Sequence, residues 1–336
     1  YYWLNQKIIT SSVILWLNSV YMIDLLTYIL SLLILAIILS ALFTKLASQN
    51  IKRSVPKFGK TTVLQDAEIH WYESGQGKPI IMLHGLAGNL RNFTYALVGK
   101  LDKEYRVIAI DRAGCGWSKR LKSDSATLQE QARIVSEFID KEQIEKPLIV
   151  GHSLGGAIAL ALALEYKNKI SGLALICPAT QIIDKIPDMF KFLNISSPLI
   201  RFFVAHTISS LIGILTQKET FKAAFAPEAV CKDFGIKGGG DFALTSEAFI
   251  RTSEDLFFAQ SSAPSLVGRE KELDVYTEVM FGEYDEILDA KLHGEKFAKL
   301  ASAKLTIVPE TGHMLPLTIP DECADFIRGV MNKVRN

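Results

Sequence analysis

The sequence predicts an α/β fold in which a mostly parallel sheet is covered by helices on both faces, with a helical cap inserted late in the chain. Three observations carry this. Short runs that are apolar on both faces, such as Pro79-Ile80-Ile81-Met82-Leu83, read as strands buried in a covered sheet. They alternate with helical stretches, the pattern of a sheet wound on both faces. The alternation stops after Cys177-Pro178 and resumes near residue 275. A chain of 336 residues is ample for one such domain and an appendage.

The first element is of another kind. Residues 25–43 (LLTYILSLLILAIILSALF) contain no charge, and as a helix would extend about 28 Å, close to the hydrocarbon thickness of a bilayer. A transmembrane anchor over residues 22–44 is therefore expected. A cleaved signal peptide would have a shorter apolar core behind a basic segment, whereas here Met22, Ile23 and Asp24 precede the run. The basic residues Lys45, Lys52, Arg53, Lys57 and Lys60 follow it, which predicts a cytoplasmic catalytic domain. Residue 1 is Tyr and Met22 stands just before the anchor, so residues 1–21 are expected to be upstream translation rather than native protein. Residues 45–59, polar and basic with Pro56 and Gly59, read as a linker.

The core is expected over residues 60–178 and 275–336. Strands are predicted at 61–65, 68–73, 79–83, 106–110, 147–150, 172–176, 275–281 and 305–308. Helices are predicted at 92–101, 127–140, 154–166, 289–300 and 321–334, the second opened by Thr127 and Glu130 at capping-box spacing. Residues 179–274 form the expected cap, apolar at 189–193 and 198–214, with a flexible Gly238-Gly239-Gly240.

The 37 basic and 36 acidic residues leave a formal net charge of +1, so the basic face that nucleic acid requires is not expected. Cys115, Cys177, Cys231 and Cys323 are too widely spaced for a zinc knuckle or a redox pair. No metal, disulfide or cofactor is expected.

The chemistry concentrates at strand ends. In Gly151-His152-Ser153-Leu154-Gly155, between a buried strand and an Ala- and Leu-rich helix, a serine stands on a sharp turn, with Gly151 and Gly155 letting the backbones approach. A serine hydroxyl needs a general base, and the base an orienting acid. Of six histidines, His313 is the one in a loop after the last strand, where this fold places the base. The acid is expected at Asp285 in Gly282-Glu283-Tyr284-Asp285, with Glu283 as competitor. The oxyanion needs two N–H donors, expected from Leu154 and from Leu86 in the loop that begins His84-Gly85.

These runs, with Asp111-Arg112-Ala113-Gly114-Cys115-Gly116-Trp117-Ser118 and Gly312-His313, resemble the α/β-hydrolase superfamily from about residue 60 to the C-terminus. Within it the chain is similar to bacterial serine esterases and lipases with a helical cap and an N-terminal membrane anchor. The resemblance implies Ser153 as nucleophile, Asp285 as acid, His313 as base, and Leu86 and Leu154 as oxyanion donors. Two departures concern loop stiffness: Ala113 stands where a proline is usual, and Ile287 and Leu288 where another commonly follows the acid.

The expected activity is carboxylic ester hydrolysis through an acyl-enzyme, on a small-molecule ester or an acyl lipid. The alternatives are carbon–carbon bond hydrolysis of a diketone by the same residues, and a non-catalytic binding protein on a membrane. Epoxide hydrolases and haloalkane dehalogenases of this fold use an aspartate where Ser153 stands.

Overall fold

A computed structural model describes residues 2–122, 126–182 and 186–334, with side chains from residue 16 onward. Residue 1 and the side chains of residues 2–15, part of the expected upstream segment, lie outside the described residues.

The strands are β1 (Lys60–Val63), β2 (Ala67–Ser74), β3 (Pro79–Leu83), β4 (Arg106–Ile110), β5 (Lys119–Arg120), β6 (Leu148–His152), β7 (Gly172–Ile176), β8 (Tyr276–Gly282) and β9 (Lys304–Val308). They form one sheet in the order β1-β2-β4-β3-β6-β7-β8-β9, with β5 on β2. Only the β1–β2, β2–β4 and β2–β5 pairs are antiparallel. From β4 through β9 every pair is parallel. β6 and β7 are buried along their whole length, which accounts for their unbroken apolar character.

The helices Leu128–Lys141, Leu154–Glu165 and Pro320–Met331 cover the sheet. Thr127 accepts the N–H of Glu130 at 3.3 Å, but the Glu130 side chain turns to Arg133 at 2.8 Å, so only one half of the predicted capping box forms. The helix expected over 92–101 is two single turns, Arg91–Thr94 and Val98–Leu101. That expected over 289–300 begins as wide π turns, Ala290–Lys296, before tightening at Phe297–Ala301.

Between β7 and β8 the insertion contributes the helices Pro198–Thr207, Ser209–Phe225 and Ser246–Ser262. Its triple glycine is pinned rather than flexible. The amides of Asn92 and Asn89 donate to the carbonyls of Gly238 and Gly239, each at 2.9 Å, and so tie the insertion to the loop after β3.

The N-terminal helix runs from Tyr2 to Ser54, and position 22 marks no break in it. The portion Trp16–Ser54 is long and apolar enough to cross a membrane. The segment expected as a linker is corrected here: it stays helical to Ser54 and is docked on the insertion. Thr44 donates to the Thr207 carbonyl at 2.7 Å, Ser48 accepts the N–H of Ser246 at 3.1 Å, and Lys52 meets Glu247 at 2.9 Å. Ile51 and Val55 are buried against Phe242. Polar residues on the docked face keep the helix intact by finding partners in the insertion.

Candidate active site

β6 ends at His152, and the helix Leu154–Glu165 begins directly after it, which leaves Ser153 alone to turn the chain. Its φ of 55° and ψ of −121° lie where few residues other than glycine are found. The surrounding backbone enforces this conformation. Ser153 N–H donates to Ile176 O at 3.1 Å, and its carbonyl accepts from Gly156 at 2.9 Å and Ala179 at 3.0 Å. Small neighbours make room: a Cβ at Gly155 would lie 2.0 Å from the Leu83 carbonyl oxygen, and one at Gly85 would lie 2.8 Å from Ser153 Cβ. Gly151 meets Gly155 and Gly156 just as closely.

Asp285 and His313 come from the loops after β8 and β9. The Nδ1 of His313 stands 2.6 Å from Asp285 Oδ2, and both side chains are buried. The other carboxylate oxygen, Oδ1, accepts the N–H groups of Ile287 and Leu288, each at 2.9 Å. A proline at either position could not donate, so the departure at Ile287 and Leu288 has a chemical consequence beyond loop stiffness. Burial raises the Asp285 carboxyl, but the facing His313 ring and these two N–H groups outweigh it and hold the group below the ordinary carboxylate value. Glu283 is placed elsewhere, accepting the N–H of Glu310 at 3.1 Å.

Ser153 and His313 line one cavity of about 190 Å³ together with Leu86 and Leu154. Leu154 is the first residue of its helix, so its N–H is among the donors a helix leaves unpaired. The rest of the wall is mostly apolar and comes largely from the insertion, including Met189, Phe190, Phe221 and Leu256.

A family model described as alpha/beta hydrolase fold matches residues 78–207, from the start of β3 into the insertion. The chain has the alpha/beta hydrolase fold. It is 37% identical to a 2-hydroxy-6-oxo-6-phenylhexa-2,4-dienoate hydrolase of Comamonas testosteroni over 132 residues, covering 36% of this chain and only 44% of that one. It is 22% identical to the monoacylglycerol lipase ABHD6 of Homo sapiens over 271 residues, 78% of this chain and 77% of that one. Among solved structures, a membrane phospholipase A described as a bacterial virulence factor superposes with a TM-score of 0.65 at 21% identity, over 93% of this chain and 98% of that one.

Several residues around the cavity have partners that sequence reasoning did not supply. His84 donates from Nδ1 to Gly85 O at 2.9 Å and accepts the Arg112 N–H at Nε2, at 3.0 Å. The Arg112 guanidinium then holds the carbonyls of His84 and Gly85, at 2.9 and 3.0 Å, and pairs with Asp255 at 2.8 Å. Asp111 accepts N–H groups from Leu90 and Trp117, both at 2.7 Å. The Asp111-Arg112 run signalled these braces, while nothing near Asp255 did.

The insertion also reaches the base. Glu228 Oε2 accepts the N–H of Gly312, next to His313, at 2.8 Å. On the other side, His152 Nε2 donates to the His313 carbonyl at 2.9 Å, with the two rings 4.9 Å apart.

Burial, and then the neighbouring His313 ring, push the His152 imidazole down to about 3. His293, whose Nδ1 accepts the N–H groups of Thr180 and Gln181, is lowered by burial to about 4. In the unfolded chain both rings protonate near 6.5, so between that pH and about 4 unfolding takes up protons that the native state refuses. Stability is therefore expected to be full above 6.5 and to fall on acidification, approaching about 1.4 kcal/mol per pH unit for each ring. Urea melts at pH 7, 6 and 5 measure this, and a flatter profile in His293→Asn assigns its share. A stability independent of pH over this range would contradict the neutral, buried placement of both rings.

Proposed function

We propose that the protein is a membrane-anchored serine hydrolase that cleaves carboxylic esters bearing an apolar acyl chain. The observation that carries this reading is the buried His313–Asp285 pair, whose His313 lines the same cavity as Ser153 on its strained turn. With Nδ1 held by Asp285, His313 has Nε2 free for the serine. Ser153 Oγ attacks the acyl carbon as its proton passes to Nε2, and the oxyanion is received by the N–H groups of Leu154 and Leu86. Collapse breaks the bond to the alcohol, which leaves with the proton from Nε2. Water then repeats the sequence on the acyl-enzyme and releases the acid. Each oxyanion donor is expected to contribute about 2.7–4 kcal/mol.

Carbon–carbon hydrolysis is supported by the likeness to the Comamonas hydrolase. That enzyme's named substrate is a dienoate, whose carboxylate would need a cationic or hydrogen-bonding partner once buried. Among the described residues no lysine or arginine lines the cavity, whose other polar side chains include the neutral Asn92, Gln181, Thr220 and Gln260, and the lack of a cation favours a neutral ester.

A p-nitrophenyl ester series from acetate to palmitate, run beside a vinylogous diketone, tests the reading. Each methylene that enters the cavity is expected to raise kcat/KM about fourfold, from about 0.8 kcal/mol of burial, until the cavity is filled. Turnover of the diketone but no ester would overturn it. Glu228→Ala, which frees the Gly312 N–H beside the base, should lower kcat by about 10- to 100-fold, with Glu228→Gln restoring most of it. Equal kcat in Glu228→Ala and wild type would remove Glu228 from that positioning role.

The N-terminal helix supports placement on a membrane, and the basic residues after its apolar run support a cytoplasmic hydrolase domain.

A further inference from the structure

The insertion carries a second apolar feature, separate from the cavity. On the helices Pro198–Thr207 and Ser209–Phe225, large side chains face outward, among them Leu199 (78% exposed), Phe202, Phe203, Leu211 and Leu215 (75% exposed). Residues 202–217, FFVAHTISSLIGILTQ, contain no Asp, Glu, Lys or Arg. The two helices meet at 75°, too sharp a bend for one straight span. A contiguous exposed patch of this kind is uncommon on a surface that faces only water.

Its position identifies the occupant. The Thr207 carbonyl, at the bend, accepts the hydroxyls of Ser40 and Thr44, both at 2.7 Å. Ser40 lies in the last turn of the N-terminal apolar run and Thr44 directly follows it, just before Lys45. The bend is therefore fixed at the depth where that run would leave the hydrocarbon, and the patch continues the lipid-facing surface of the N-terminal helix sideways.

Resting on the anchor reading above, we infer that the patch on these two helices is seated in the membrane leaflet into which the N-terminal helix is inserted. An interfacial helix of this kind buries its apolar face about 5–10 Å into the acyl boundary. The helix Ser209–Phe225 then links the leaflet to the site, because Thr220, Phe221 and Ala224 line the Ser153 cavity. Leu215 and Phe221 are six residues apart, about 9 Å along a helix. The substrate class that fits is an acyl lipid taken from the leaflet rather than from bulk water.

Nitroxide labels on the full-length protein, in a Cys231→Ser background and in phosphatidylcholine vesicles, test this. Leu199→Cys and Leu215→Cys carry the label on the patch, Leu33→Cys on the N-terminal helix, and Lys103→Cys on the exposed hydrolase surface. Oxygen should reach the labels at 33, 199 and 215 better than a water-soluble nickel complex does, with the order reversed at 103. Water-like labels at 199 and 215 beside a lipid-like label at 33 would overturn the seating and leave the anchor standing. Spin–spin broadening at 215 would mean that a second copy covers the patch, and would overturn it too. A water-like label at 33 would overturn the anchor and this inference together. In activity, the double variant Leu199→Glu, Leu215→Glu should lose at least tenfold on a long-chain ester embedded in vesicles, with turnover of p-nitrophenyl acetate unchanged. Equal loss on both substrates would overturn delivery from the leaflet.

Discussion

Ser153→Ala is expected to lower kcat on p-nitrophenyl esters by about a million-fold, the scale seen when a serine hydrolase loses its nucleophile, with stability nearly unchanged. The second half of that expectation follows from how the turn is held. Residue 153 is held by its backbone, through Ile176, Gly156 and Ala179, and alanine keeps all of these bonds. Alanine also carries the same Cβ that Gly85 accommodates. The variant should therefore fold, keep its cavity and bind substrate, and should resist labelling by a fluorophosphonate that modifies the wild type. Residual activity above about one-thousandth of wild type would place the nucleophile elsewhere.

The largest effect on stability is expected at Asp255, on the helix Ser246–Ser262 and outside the lining of the Ser153 cavity. Its carboxylate is fully buried between the guanidinium groups of Arg112 and Arg120, which are themselves buried. Burial alone would raise its carboxyl, but Arg120 and Arg112 outweigh burial and keep it ionised. Asp255→Ala leaves two buried cations without their shared anion, and a broken buried pair costs about 3–5 kcal/mol. Arg120 retains Glu254 at 3.3 Å, and Arg112 retains the carbonyls of His84 and Gly85. The loss should nonetheless be large, because neither set of contacts neutralises both charges. Urea denaturation measures it, with Asp255→Asn expected to fall between alanine and wild type. A loss below about 1 kcal/mol would show that water or side-chain movement replaces the ion pairs. Arg112 also holds the loop that bears Leu86, so the variant should lose kcat even under conditions where it remains folded.

Three ties join the insertion to the site: Asp255 to Arg112, Glu228 to Gly312, and the Asn89 and Asn92 amides to the triple glycine. The insertion therefore braces both the loop expected to receive the oxyanion and the loop that carries His313. Through Thr207, Ser246 and Glu247 it is also tied to the N-terminal helix, so the cavity, the insertion and the apolar helix form one connected unit.

The features legible in the sequence are those whose signal is local. Apolar runs on both faces marked β3, β4, β6 and β7 to within a residue or two, because burial on both faces of a covered sheet leaves that signature in a few consecutive positions. Ser153, Asp285 and His313 stood out because each lies just past a strand, β6, β8 and β9 in turn, in chain order. What the tertiary structure decided has partners far away along the chain. Residues 45–59 read as a linker because Ser246 and Glu247, which hold Ser48 and Lys52 in the helix, lie about 200 residues later. Gly238-Gly239-Gly240 read as flexible because Asn89 and Asn92 precede it by about 150. Asp285 is read ahead of Glu283 as the acid from its place past the glycine; the turn after β8 sets Asp285 against His313 and Glu283 against Glu310. A local pattern records which way a residue faces, whereas the group it meets there is selected only when the chain closes.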